Sequence, residues 1–205
     1  MVTLLFSLPL GLVGCLLKKV KFTPFIKLKN CKFNPLKFIL DIYTWVIRGT
    51  PLLLQLFVVY FGLPIVFGEK FSLGALPAAC ITFVINYAAY FIEIFRGGLE
   101  TINKGQFSAC YVLGMNKFQT YTRIIIPQTI KKVLPSITNE AITLVKDTSL
   151  AFTLAVAEMF TLAKQLVAAE SSMIPLAVAG IFYYIFNLVV ALTFEYIEKK
   201  LSYYR

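Results

Sequence analysis

The chain of 205 residues contains no histidine, and only 15% of its residues are charged. Without histidine, serine–histidine and cysteine–histidine catalysis lack their general base. The four cysteines, Cys15, Cys31, Cys80 and Cys110, form no C-x-x-C pair, so no metal site is expected. Two of them lie in apolar runs, where a free thiol behaves as a small hydrophobe. No G-x-x-x-x-G-K phosphate loop occurs, which excludes that route to ATP hydrolysis within this chain. No cofactor is expected in the chain. Acidic residues number only 10 against 20 Lys and Arg. No basic patch is interleaved with aromatics on a compact soluble unit, so nucleic acid is not an expected partner.

Apolar residues are in excess, at 59% of the chain with mean hydropathy +0.77. Soluble domains carry about 45–50% apolar and about 25% charged residues. The excess points to a chain whose solvent is partly lipid, with the bilayer as a partner. Uncharged runs place spans at about 1–17, 52–67, 73–95 and 173–194, with a further apolar region at about 133–163. That region contains Glu140, Lys146, Asp147 and Glu158, so it is not expected to be one uniform lipid-facing helix. Residues 38–47 read as a short amphipathic lead-in with Asp41 and Trp45. The expected fold is an all-α membrane protein of about five transmembrane helices, in one domain over residues 1–205.

Lys and Arg then set the orientation. Segments 18–37, 96–132 and 197–205 hold 7, 6 and 3 basic residues, whereas the loops on the other side hold only Lys70 and Lys164. Cytoplasmic loops collect Lys and Arg, so five crossings put the amino terminus outside and the carboxyl terminus in the cytoplasm. By the same rule Cys31 and Cys110 are expected on the cytoplasmic side.

The longest basic segment, 96–132, is too long for a turn. Gly97, Gly98 and Gly105 are expected to break it at the start, and Pro127 to stop its second half. A short helix is predicted between Gly105 and Gly114, with Gly114 as the left-handed residue after its end. A second is predicted over 117–126. Two short helices displayed by membrane spans suit a docking surface.

The spacing sharpens this. Ala109 and Cys110 are followed after three residues by Gly114, and nine residues later by Ile124-Ile125-Ile126-Pro127. This resembles the cytoplasmic signature of bacterial ABC importer permeases. R-G-T-P-L-L-L-Q-L-F from Arg48, N-Y-A-A-Y-F-I-E-I-F-R-G-G at 86–98, Gly105-Gln106, I-P-Q at 126–128 and N-E-A-I-T-L-V-K-D-T-S-L at 139–150 are similar to the polar amino-acid subfamily. The match covers roughly residues 2–200, and Met1 falls where the family's first span has already begun. Where the family has Glu at the start of its loop motif this chain has Ser108, expected to serve as a helix N-cap, and the motif's second Ala is Cys110.

The resemblance implies a type I-like permease in the cell (inner) membrane, working as a dimer with a second copy or a paralogue. It implies an ATPase subunit dimer on the cytoplasmic side and an extracellular amino-acid-binding protein. ATPase coupling would fall to Gly105, Gln106, Ser108, Ala109, Gly114, Ile124 and Pro127. The motifs Arg48-Gly49-Thr50-Pro51 and Lys146-Asp147 are candidates for signature or gating roles. For Arg48, pairing with lipid phosphate or with Asp41 is the alternative. Gln55, Asn86, Glu140 and Glu158 are candidates for the translocation path, the alternative being inter-span hydrogen bonding. Glu93, Arg96 and Glu100, spaced i, i+3 and i+7, are expected to form an ion-pair ladder. An ion channel or other pore without ATPase coupling is the competing reading, but it leaves the loop spacing unexplained.

Overall fold

The computed structural model describes residues 2–19 and 34–200, and every regular element among them is helical. In order these are α1 (Val2–Lys19), α2 (Pro35–Gly49), α3 (Leu52–Phe67), a 3₁₀ turn (Glu69–Phe71), α4 (Ala75–Glu100), α5 (Lys104–Val112), α6 (Lys117–Leu154), α7 (Met159–Glu170) and α8 (Ile174–Lys200). Cys31, Lys21, Lys27, Lys29, Lys32 and Arg205 lie outside the described residues. Helices α1, α4 and α8 are each long and apolar enough to cross a membrane. The bent pairs α2–α3 and α6–α7 bring the count to five if each contributes one crossing, the number expected from the apolar runs.

The chain packs as two compact units, Met1–Pro51 with Val84–Val133, and Leu52–Phe83 with Leu134–Arg205. In the first, α1 packs on α2, and α4 supplies a buried row of Tyr87, Phe91, Ile92, Phe95 and Leu99. The expected break at Gly97-Gly98 does not occur, because α4 runs on to Glu100. A helical glycine costs about 0.5–1 kcal/mol relative to alanine, but here a side chain would not fit. A Cβ on Gly98 would overlap Val133 Cγ1 and stand 3.2 Å from Thr129 Cγ2. Close packing of α4 on α6 therefore requires the glycine. The break comes instead between the two helices, where Lys132 Nζ donates to the Thr101 carbonyl at 2.7 Å.

Pro127 does not stop a helix either, since α6 continues through it. A proline inside a helix removes an N–H and drives its ring into the preceding turn. Here Thr120–Ile125 forms a π turn, and Ile126 N–H reaches back five residues to the Tyr121 carbonyl. The widened turn accommodates the ring. The same device precedes Pro64 in α3, where Leu63 N–H reaches the Val58 carbonyl.

In the second unit, α6 tightens into a 3₁₀ turn over Thr148–Leu154 and ends at Ala155, which is left-handed at φ 55°. The apolar region at 133–163 is thus discontinuous, as its charged residues predicted. Helix α3 and α7 both pack on the 3₁₀ turn, and α7 packs on α8. Only Ala179 of α8 is buried. Its exposed Phe182, Ile185, Phe186 and Val189 need no protein cover where the solvent is lipid.

Candidate functional site

Three groups of residues carry possible function. The first is α5 and its flanks. Asn103 is its N-cap, accepting the Gly105 N–H at 2.8 Å. Ser108 therefore is not the cap; it lies exposed inside the helix. The local chemistry explains the difference, because Asn103 is a strong capping residue placed just before the first turn. At the other end Gly114 has φ 70°. Its N–H donates to the Tyr111 carbonyl and Met115 N–H donates to the Cys110 carbonyl, each at 3.0 Å. This is a Schellman closure, the left-handed terminus expected for Gly114. Asn116 and Gln119 form a capping box that starts α6 two residues later.

Capping at both ends makes the Val112–Lys117 connection short and well defined, and it projects large apolar side chains. Tyr111, Val112, Leu113 and Phe118 are 85, 84, 77 and 77% exposed. Cys110 points inward and is buried, and Phe107 meets the Tyr121 ring edge-on at 6.0 Å. Gln106 lies beside Gln128 at 3.4 Å, while Ala109 is exposed. Ile124 and Pro127 are half-buried in α6.

The second group joins α1, α2 and α4. Lys18 Nζ sits 2.7 Å from Glu93 Oε1, 2.9 Å from Asp41 Oδ1 and 3.1 Å from Thr44 Oγ1, with its side chain only 4% exposed. Arg96 pairs with Glu93 at 2.7 Å and with Glu100 at 2.8 Å, the ladder that the spacing predicted. Arg48 does not pair with Asp41, which Lys18 occupies. It stands 4.0 Å from Glu93 and over the Tyr90 ring at 5.4 Å. Gly49 and Thr50 end α2, the Thr50 hydroxyl donating back to the Val46 carbonyl at 2.8 Å, and exposed Pro51 follows.

Lys18 was hidden in the sequence among the seven lysines of 18–37. The signal that sets it apart is Asp41, the only acidic residue before Glu69. A lone acid in so basic a stretch attracts a lysine, and the one that pairs with it ends the first span. Removing one partner from a buried pair leaves a bare charge, at a cost of about 3–5 kcal/mol.

The third group surrounds Glu158. This residue caps α7, its carboxylate accepting the Phe160 and Thr161 N–H groups at 2.8 and 2.6 Å. The Tyr183 hydroxyl of α8 also donates to it, at 3.1 Å. Glu158 borders a cavity of about 250 Å³ shared with Val145, Thr148, Met159, Phe182 and Tyr183. It also borders a larger groove of about 720 Å³ along α7 and α8. The positive pole of α7 and its free N–H groups hold the carboxylate in place. Lys164 Nζ lies over the Phe152 ring at 4.5 Å in the same unit.

The other polar candidates are spread out. Gln55 and Glu140 are half-buried in the second unit, as is Asp147, while Lys146 is exposed. Asn86 is buried in the first unit. Helix α3, which carries Gln55, packs on the 3₁₀ turn that follows Asp147.

Comparison with known proteins agrees with this geometry. Residues 30–203 match the family model described as binding-protein-dependent transport system inner membrane component. The probable amino-acid permease protein YxeN of Bacillus subtilis (strain 168) is 42% identical over 163 residues, covering 78% of this chain and 72% of that protein. The arginine transport system permease protein ArtQ of the same organism is 37% identical over 98% of this chain and 86% of its own length. A crystal structure of an amino acid ABC transporter with histidines superposes with TM-score 0.81 at 29% identity, covering 97% of this chain and 87% of the other.

Proposed function

The chain belongs to the family of binding-protein-dependent transport system inner membrane components, and on that premise we propose that it is the permease subunit of an ATP-driven amino-acid importer. The observation that carries this reading is the doubly capped α5 with its exposed Tyr111, Val112, Leu113 and Phe118. Large exposed apolar side chains on a basic, water-facing segment mark a protein contact. A separate ATPase dimer on the cytoplasmic side fits that contact, because the chain has no phosphate loop of its own. The permease works as a dimer with a second copy or paralogue and receives substrate from an extracellular binding protein. ATPase closure, transmitted through α5, favours one state of the dimer over the other, and substrate must do the same for the two events to be coupled.

The substrate path draws on Gln55, Asn86, Glu140 and above all Glu158. Glu158 offers a carboxylate at a discontinuity between membrane helices, beside a cavity and the polar tip of Tyr183. A fixed carboxylate suits the ammonium group that every amino acid carries, and broken helices commonly form transport sites. Arg48 and the Lys146-Asp147 pair serve as gating elements. Nothing in the structure favours a channel.

The orientation follows the basic residues, with α5 in the cytoplasm. Cys110 is buried, so it is a poor target for thiol reagents. Exposed Ser108 serves better. A Ser108→Cys chain is expected to react with a membrane-impermeant maleimide in inverted vesicles and to stay unlabelled in intact cells. Labelling from outside would overturn the topology.

A further inference from the structure

Helix α2 has two faces. Lys37, Asp41, Thr44 and Arg48 follow one another at helical spacing, and Asp41 and Thr44 bind Lys18 near the end of α1. Tyr43 fastens α2 to α4 by donating to the Ile85 carbonyl at 2.5 Å. The opposite face carries Phe38, Ile39, Ile42, Trp45 and Val46, which span an arc of about 120° at the helical repeat. They are 52, 62, 46, 81 and 54% exposed.

Three features say what covers this face. A helix of 15 residues is about 22 Å long, short of a hydrocarbon core about 30 Å thick. Its polar face is tied to Lys18 and Glu93, charged residues within about two turns of the ends of two spanning helices. Such residues sit at the membrane boundary, where tryptophan is also enriched. Finally, α2 begins within a stretch, 18–37, that has seven lysines and no acid. A second copy meeting this face would bring like charge to like charge, whereas anionic headgroups complement it.

We propose that α2 is an in-plane helix seated at the headgroup–acyl boundary of an anionic bilayer leaflet, with Trp45 and its apolar neighbours turned into the upper acyl region and Lys37 toward lipid phosphate. The helix thereby fixes the α1–α2–α4 ion cluster at a set depth. This surface shares no residue with the α5 contact or the Glu158 cavity.

Trp45 is the sole tryptophan of the chain, so its fluorescence reports on this helix alone. The purified full chain is reconstituted in vesicles of phosphatidylcholine and phosphatidylglycerol, with bromine placed either high or low on the acyl chains. Shallow bromine is expected to quench Trp45 about twofold more than deep bromine, as an interfacial helix requires. At equal mole fraction, brominated phosphatidylglycerol is expected to quench more than brominated phosphatidylcholine, and Lys37→Gln to shrink that difference. Stronger quenching by deep bromine would mean a crossing helix, and no quenching by either would mean a protein-covered face. Equal quenching by the two headgroups would remove the anionic preference. Any of these three results overturns the proposal. The depth reading is independent of transport, so it stands or falls apart from the importer assignment.

Discussion

A Gly114→Val permease is expected to insert and dimerise normally, yet to lose substrate-stimulated ATP hydrolysis and uptake when reconstituted with its ATPase and binding protein. Gly114 has φ 70°, a conformation costing a β-branched residue about 1–3 kcal/mol. An added Cβ meets nothing within 4 Å, so the damage comes from backbone strain and not from a clash inside the chain. Relieving the strain undoes the Schellman closure and moves Tyr111, Val112 and Leu113, the side chains proposed to meet the ATPase. Asparagine tolerates the left-handed region, so Gly114→Asn is expected to retain most activity and Gly114→Ala part of it. Equal loss in all three variants would point to bulk at the contact in place of conformation. Full transport by Gly114→Val at normal expression would mean that α5 is only a connector.

The second large effect is expected at Glu158. Replacing it with glutamine keeps an oxygen acceptor for the α7 N–H groups but removes the negative charge. If the carboxylate receives the substrate ammonium, uptake at subsaturating substrate falls about tenfold or more, equivalent to roughly 1.4 kcal/mol. Basal ATP hydrolysis stays near its original rate. Glu158→Ala loses the cap as well, a further cost of about 0.5–2 kcal/mol, and is expected to lower thermal stability also. Unchanged uptake by Glu158→Gln would reduce the residue to a helix cap.

Much of this architecture was legible in the sequence, for local reasons. Uncharged runs located the spans, and the charges at Glu140, Lys146, Asp147 and Glu158 argued against one uniform lipid-facing helix. Gly114 was placed correctly because a helix terminus is written in the residues beside it. The Glu93–Arg96–Glu100 ladder follows from helical spacing alone. What escaped were features decided by distant partners. Gly97 and Gly98 read as breakers, since the packing of Val133 and Thr129 against Gly98 lies more than thirty residues away. Pro127 read as a stop because a π turn has no sequence mark of its own. Lys18 was hidden by its lysine neighbours, and its role came from Asp41 and Glu93 on other helices. Ser108 was assigned the cap that Asn103 supplies, so a charge at 108 is too far from the first turn to act through the helix dipole.

Coupling of transport to a separate ATPase is tested most directly in proteoliposomes containing the permease, its ATPase and its binding protein. Uptake of a labelled amino acid is measured with ATP, with a non-hydrolysable analogue, and without the ATPase subunit. The importer reading predicts accumulation above the external concentration that requires hydrolysable ATP, the ATPase and the binding protein together. Equilibrating flux through the permease alone, indifferent to ATP, would contradict it.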